Sequence, residues 1–269
     1  MNRPDRAMRR SRGKSDAVDA EAAAVAVLSG RATAIPKAAD GQVEQMRIYK
    51  VAKDSAIKSR TQAINQMKML LVNAEPALRE SLTGLGTATL VARCAALRSD
   101  DHSGVEAACR HALRLLAMRI QQLTHEIKDL DGRIAAAVKT TAPRLLQQFG
   151  VGPDSAAALL IAAGDNPERL ASEASFAALC GVSPVEASSG KNQRHRLNRG
   201  GNRQANAALF RVVITRIRRH QPTRDYIARR TQDGLSKREI IRCLKRYLSR
   251  TLFKIIKAAL TPPAPAEGT

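Results

Sequence analysis

Tryptophan is absent from this chain, and the aromatics amount to three Tyr and four Phe among 269 residues. The hydrophobic fraction is nevertheless 44%. Much of it is Ala and Leu, a mixture that favours helices over strands. Cysteine is scarce too. Cys94, Cys109, Cys180 and Cys243 lie far apart, with no CxxC pair and no histidine cluster nearby. That spacing excludes a zinc site or a disulfide framework and suits small core residues in a reducing cytoplasm. No apolar run approaches the ~20 residues needed to span a bilayer. The opening fourteen residues are basic with no apolar segment behind them, unlike a secretory leader.

Acids are the other shortage. Against 24 Asp and Glu stand 45 Lys and Arg, giving a net charge of +21 and a pI near 10.8. Solubility requires nothing so extreme, so a polyanionic partner is implied, with nucleic acid ahead of a membrane surface. The charge is also concentrated. Between Lys191 and Lys254, 19 Lys and Arg face only Asp225, Asp233 and Glu239. A second cluster, Arg3, Arg6, Arg9, Arg10, Arg12 and Lys14, opens the chain. Such a face should bind phosphates with a steep salt dependence.

Periodicity predicts helices throughout. Residues 17–28 form an alanine-rich stretch ending at Ser29-Gly30, and residues 35–41 read as a linker. Residues 43–73 carry Ile57, Ile64, Met67 and Leu71 on one face, and Pro76 ends or bends that helix. Residues 81–103 read as a connection holding one short helix near residues 90–97. The sharpest pattern is Leu113, Leu116, Ile120, Leu123, Ile127, Leu130, Ile134 and Ala137, a heptad seam of coiled-coil type. It can pair with residues 43–73 in the same chain or join two protomers. Further helices are predicted over residues 175–180, 203–218 and 237–260, with a disordered tail beyond residue 261. No run of alternating strands is present, so the fold class is all-α.

Three motifs carry chemistry. Residues 145–160, LLQQFGVGPDSAAALL, have the form of a helix-hairpin-helix. Gly150, Val151 and Gly152 make its turn, where exposed N–H groups can hold a DNA phosphate. An ordinary helical turn with a glycine cap has the same pattern. Residues 182–203, VSPVEASSGKNQRHRLNRGGNR, set a Ser-Ser-Gly turn ahead of an arginine-dense run. A serine hydroxyl there is a candidate nucleophile, and a solvated basic loop is the plainer reading. Finally Asp16 and Asp19 stand at i, i+3 near the start, able to share one divalent ion or to serve as favourable first-turn acids.

Taken in order, GKSDAVDAEAAA (with NRPDR before it), FGVGPDSAAALLIAAGD and LCGVSPVEASSGKNQRHRLNRGGNR resemble the insertion-sequence 110 family of DEDD transposases. The resemblance covers essentially the whole chain. It implies a DNA transposase or recombinase, cytoplasmic and nucleoid-associated, that cuts and rejoins DNA through a serine. Ser189 matches the family's nucleophile, with the adjacent Ser188 as the alternative. Asp16 and Asp19 match the last two members of a magnesium-binding acidic tetrad. Lys191, Arg194, Arg196, Arg199 and Arg203 then hold phosphates, a structured guide RNA is an implied partner, and the heptad seam joins protomers into a homo-oligomer. Four segments are expected: residues 1–40, the helical remnant of a RuvC-like domain; 41–142, long helices with the coiled coil; 143–260, a C-terminal helical DNA-binding domain; and 261–269, the tail.

The same resemblance expects the tetrad's first Asp and its Glu, and the sheet that carries them, upstream of NRPDR. It therefore implies an N-terminally truncated transposase, with residues 1–14 poorly ordered. Asn206 departs from the arginine common in the family. The alternative reading is a catalytically inactive DNA- or RNA-binding remnant that interferes with the full-length transposase. A helix-hairpin-helix repair or chromosomal protein, which would not need Ser189, is a further reading.

Overall fold

A computed structural model of the chain describes residues 10–13, 15–32, 35–98, 103–188, 195–196, 198 and 200–261. The first cationic cluster (apart from Arg10 and Arg12), the C-terminal tail, Ser189, Lys191, Arg194 and Arg199 lie outside the described residues. The chain divides into two compact units, Met1–Ala38 and Ala39–Thr269.

The first unit contains helix α1, Asp16–Leu28. Ser15 caps it, its hydroxyl accepting from the Val18 amide at 3.3 Å, as expected of serine ahead of a helix. Arg12 pairs with Glu21 at 2.6 Å.

The second unit begins with a helical pair. Helix α2 spans Gln42–Val72, α3 Pro76–Leu82, α4 Thr87–Ala95 and α5 Gly104–Thr141. Helices α2 and α5 run antiparallel, as three contacts along their length fix. Thr141 meets Gln42 at 2.8 Å, Asp131 meets Lys53 at 2.5 Å and Thr124 meets Arg60 at 3.5 Å. The heptad seam is thus satisfied within one chain: Leu113, Ile120, Ile127 and Ile134 are buried. Ala63 and Met67 of α2 share a core with Leu113 and Ile120.

Pro76 opens a helix here instead of merely ending one, because Glu75 accepts from the Leu78 amide and proline suits the first turn. The segment read as a connection with one helix therefore holds two short ones. They close the far end of the pair through Leu78, Leu82, Leu90, Val91 and Cys94.

At the other end the pair enters a helical body. It comprises α6, Pro143–Leu146, α7, Pro153–Ala163, a 3₁₀ turn at Pro167–Arg169 and α8, Glu173–Leu179. Strands β1, Val185–Glu186, and β2, His195–Arg196, form a two-residue antiparallel ladder. Three helices follow: α9, Arg203–Arg219, α10, Gln221–Gln232, and α11, Lys237–Leu260. The fold is all-α apart from that ladder. Helix α10 escapes an amphipathic search because it buries only Thr223.

Helix α7 is the centre of the body. Eight of its eleven residues are buried, as a helix apolar all round must be. One core runs from Val43, Met46, Ile134 and Val138 of the helical pair through α7 to Leu209, Val212, Leu248 and Leu252. Phe176 of α8 packs beside Phe253 of α11, ring centroids 5.9 Å apart.

A long-range cap fixes the entry of α2. Gly41 offers no capping side chain. Instead Asp165, just past the end of α7, accepts from the Val43 amide at 2.8 Å and the Glu44 amide at 3.1 Å. A carboxylate there also complements the helix dipole. A Cβ on Gly41 would come within 2.7 Å of the Asp165 carboxyl carbon, so only glycine admits this cap. We expect Asp165→Ala to cost about 1–2 kcal/mol of unfolding free energy in a urea titration, with Asp165→Asn retaining most of it. An unchanged midpoint in the alanine variant would show the cap to be idle.

Candidate nucleic-acid interface

The helix-hairpin-helix segment is built into the body more than it is offered to solvent. Gly150 has φ +80°, and a Cβ there would stand 3.3 Å from the Val212 carbonyl oxygen and 3.4 Å from Thr215. The turn is thus pressed against α9. Val151 is buried, and its amide donates to Gln148. Arg216 donates through Nε to the Phe149 carbonyl at 2.9 Å. Among Gly150, Val151 and Gly152, only Gly152 is exposed with open space about its Cα.

Asp154, in the first turn of α7, collects cations. Its Oδ1 accepts from Lys50 at 2.9 Å and Lys53 at 2.8 Å, and its Oδ2 from Arg211 at 3.1 Å. Burial by itself would raise the Asp154 pKa. The Lys53 and Lys50 hydrogen bonds and charges override that and hold it at about 2. Lys53, only 9% exposed at its side chain, also pairs with Asp131. Sequence reading missed this network, although a signal exists. Lys50 and Lys53 continue the stripe of Val43, Met46 and Ala56 on the buried face of α2. A cation inside an apolar stripe requires a partner.

The β1–β2 pairing that precedes and follows the Ser-Ser-Gly segment in sequence rises from a pinned neck. Gly181 has φ +65°, and Gly201 passes so close that a Cβ on it would come within 2.9 Å of the Ala178 carbonyl and nearer still to Gly181. Two backbones can touch this way only where neither carries a side chain. The Asn202 amide donates to the Leu179 carbonyl at 2.6 Å. The Asn202 side chain caps α9, accepting from Gln204 and Ala205 at 2.9 and 3.0 Å. Asn206 closes the neck from below, its Nδ2 donating to the Cys180 and Gly181 carbonyls at 2.9 and 3.1 Å.

Above the neck, Val185 pairs with Arg196 and Glu186 with His195. Ser188 follows on the exposed side of β1, Arg196 is exposed on β2, and Arg203 is exposed at the start of α9. Ser189, Lys191, Arg194 and Arg199 lie outside the described residues.

Beside this hairpin is a cavity of about 600 Å³. The neck residues Gly181, Ser183 and Pro184 line one side, His195 and Arg196 of β2 another, and Glu239, Arg242, Lys245 and Arg246 of α11 the third. Lys245 is 7% exposed. It donates to the Asn206 Oδ1 at 2.9 Å and has no carboxylate partner among the described residues. Burial lowers its pKa, and the Arg242 charge lowers it further. Lys245, too, interrupts an apolar stripe, three residues before Leu248 and seven before Leu252.

Asp16 and Asp19 lie one turn apart on α1, the first exposed and the second half-buried. Among the described residues no group of three or more His, Cys, Asp or Glu could hold a metal ion. The pair alone does not meet the three or four acidic ligands of a phosphoryl-transfer site. No helix among the described residues is long and apolar enough to cross a membrane.

Residues 142–228 match the family described as Transposase IS116/IS110/IS902. The chain is also similar to a protein of Pseudomonas aeruginosa described as a probable family 20 transposase. The two are 32% identical over 153 residues, covering 52% of this chain and 45% of that protein. The chain thus spans under half of that relative's length. The family match begins at α6, takes in the glycine turn, the neck, the hairpin and α9, and ends within α10. These similarities support a transposase of that family.

Asp154 generates a stability prediction. Its folded pKa is depressed, so its contribution is complete above the unfolded value near 4 and disappears as pH falls towards 2. Asp154→Asn should cost about 1–3 kcal/mol near neutral pH, less than a fully buried pair because the side chain is 35% exposed. The variant should also lose part of the wild type's acid destabilisation between those pH values. Parallel wild-type and variant curves over that range would refute the assignment.

Proposed function

We propose that this chain acts in DNA transposition, cutting and rejoining DNA through a serine nucleophile. The observation that carries the reading is the β1–β2 pairing, with exposed Ser188 just beyond β1, held on a glycine-locked neck beside a cation-lined cavity within the region similar to IS116/IS110/IS902 transposases. DNA is the partner this implies. Ser189 is the residue we assign as nucleophile, with Ser188 as its neighbour and competitor.

The chemistry balances without an external energy source. The serine Oγ forms a bond to phosphorus and the phosphodiester's bond to one sugar oxygen breaks. The serine proton passes to a base and the leaving sugar oxygen is protonated. Attack by another strand's hydroxyl on the phosphoserine reverses the step and rejoins DNA. Lys191, Arg194, Arg196, Arg199 and Arg203 are assigned to the flanking phosphates, where arginine's paired donors suit phosphate oxygens. A glycine at the turn, Gly152, is the member of the Gly150-Val151-Gly152 segment open to a strand.

Magnesium would supply electrophilic activation of the phosphate. Asp16 and Asp19 can furnish only part of its ligands, so no step is derived through it. A guide RNA and a homo-oligomer, both implied by the family resemblance, belong to the same proposal. Leu113, Ile120, Ile127 and Ile134 of the seam are buried, while Leu116, Leu123 and Leu130 are half-buried, and the coiled coil is the surface we assign to the contact between protomers. A second reading has its own support: the described residues hold no group of three metal-ligating side chains. In that case the chain binds nucleic acid without cleaving it.

The test is a magnesium-dependent strand-transfer assay on element ends, read on a denaturing gel that also displays covalent protein–DNA product. Ser189→Ala should abolish the covalent product and lower the rate about 10²-fold or more, while Ser188→Ala retains both. Activity unchanged in Ser189→Ala would sink the serine assignment. Tight binding by a wild type that yields no product supports the second reading.

A further inference from the structure

The cavity beside the hairpin is lined by three cations of α11 and one of β2, yet its chemistry is incomplete. Lys245 is almost wholly buried, carries three donor hydrogens and has a single hydrogen-bond partner, the Asn206 amide oxygen, among the described residues. Arg246 shares Glu173 with Arg250. Its Nη1 is buried with no hydrogen-bond partner among the described residues. A buried ammonium with one neutral acceptor and a buried guanidinium nitrogen with none are both costly. Glu239, the acid in the lining, is engaged with Ser236 and Arg242. The unmet donors therefore call for an anion from outside the protein.

We propose that this cavity is a binding site for one backbone phosphodiester of a nucleic acid, with Lys245, Arg242 and Arg246 as its donors and Asn206 as the residue that positions Lys245. This rests on the nucleic-acid reading above and adds a site to it. Two non-bridging phosphate oxygens can accept from both the ammonium and the guanidinium groups at once, which a single neutral acceptor cannot. About 600 Å³ lies within the range of small-molecule sites and admits a sugar-phosphate unit. Asn206 also ties the site to the neck, since its other end holds the Cys180 and Gly181 carbonyls. An anion drawing on Lys245 thus acts on the base of the serine hairpin. Helix α11 lies beyond the residues matched by the family.

Cysteine chemistry supplies a test in the intact chain. Cys243 lines the cavity. Cys109 is half-buried in the other core of the unit, while Cys94 and Cys180 are buried. Alkylation of each thiol is followed by mass spectrometry with and without short duplex DNA, single-stranded DNA or single-stranded RNA of the same sequence, with binding measured in parallel by fluorescence anisotropy. At a ligand concentration about ten times Kd, Cys243 modification should slow about tenfold while Cys109 is unaffected. Whichever of the three polymers protects identifies the source of the phosphodiester.

In Lys245→Met and Arg242→Gln, protection at matched concentration should fall below about twofold, with overall binding only modestly weaker. Fast modification of Cys94 and Cys180 would mark a misfolded Lys245→Met, and Arg242→Gln, at a residue 40% exposed at its side chain, then decides. A Cys243 rate unaffected by a polymer that anisotropy shows bound overturns the site and leaves the nucleic-acid reading standing. So does protection that survives in both variants. Failure of all three polymers to bind overturns both.

Discussion

One carboxylate coordinates much of this architecture. Asp154 begins the most deeply buried helix of the body and accepts from Lys50 and Lys53 of α2 and from Arg211 of α9. Through Lys53 the contact extends to Asp131 of α5. A helix as apolar as α7 could slide or rotate within an alanine-rich core, since small side chains interlock weakly. A charge cluster at its first turn removes that freedom, because moving Asp154 would take a shared carboxylate from two buried ammonium groups. Asp165, just past the other end of α7, performs the complementary task by capping α2. The two acids flank α7 and fix it against the same long helix.

The basic half of the protein depends on this placement. Helix α9 is pressed against the glycine turn by Gly150 and Arg216, and it carries Asn202 and Asn206 to the neck of the serine hairpin. The neck is a backbone contact between two glycines, closed by the Asn206 side chain. Helix α11 then brings Arg242, Lys245 and Arg246 to the same place. Arg196 of β2 and three cations of α11, far apart in sequence, are thereby gathered around one cavity beside the β1–β2 pairing. Both halves of the arrangement use burial of lysine as a positional device: Lys50 and Lys53 with acids, Lys245 with an amide.

Much of this was legible without coordinates. The apolar periodicities of α2, α5, α9 and α11, the serine and glycine boundaries, and the concentration of charge all follow local rules, so the helices and the cationic region could be read directly. The reading failed where local rules are silent or ambiguous. Pro76 both stops one helix and starts the next, and Glu75 decides between these by capping α3. Helix α10 has almost no buried face, so no stripe betrays it. Asn206, visible only as a departure from arginine, proved to be the link between Lys245 and the neck.

Composition and spacing alone determined an all-α chain with a concentrated excess of cations, a seam on α5 and a Ser-Ser-Gly sequence followed by arginines. They could not choose the seam's partner, since a heptad pattern is satisfied equally by a helix from the same chain or from another. The tertiary structure gave that face to α2. Nor could they separate the glycine turn as a strand-binding loop from the same turn as a packing joint, because φ-permissive residues serve both. The structure shows Gly150 pressed against α9 and Val151 buried. Which of the 45 cations would be buried was likewise decided only in three dimensions, where desolvation makes the absence of a carboxylate partner among the described residues costly and so gives Lys245 its significance.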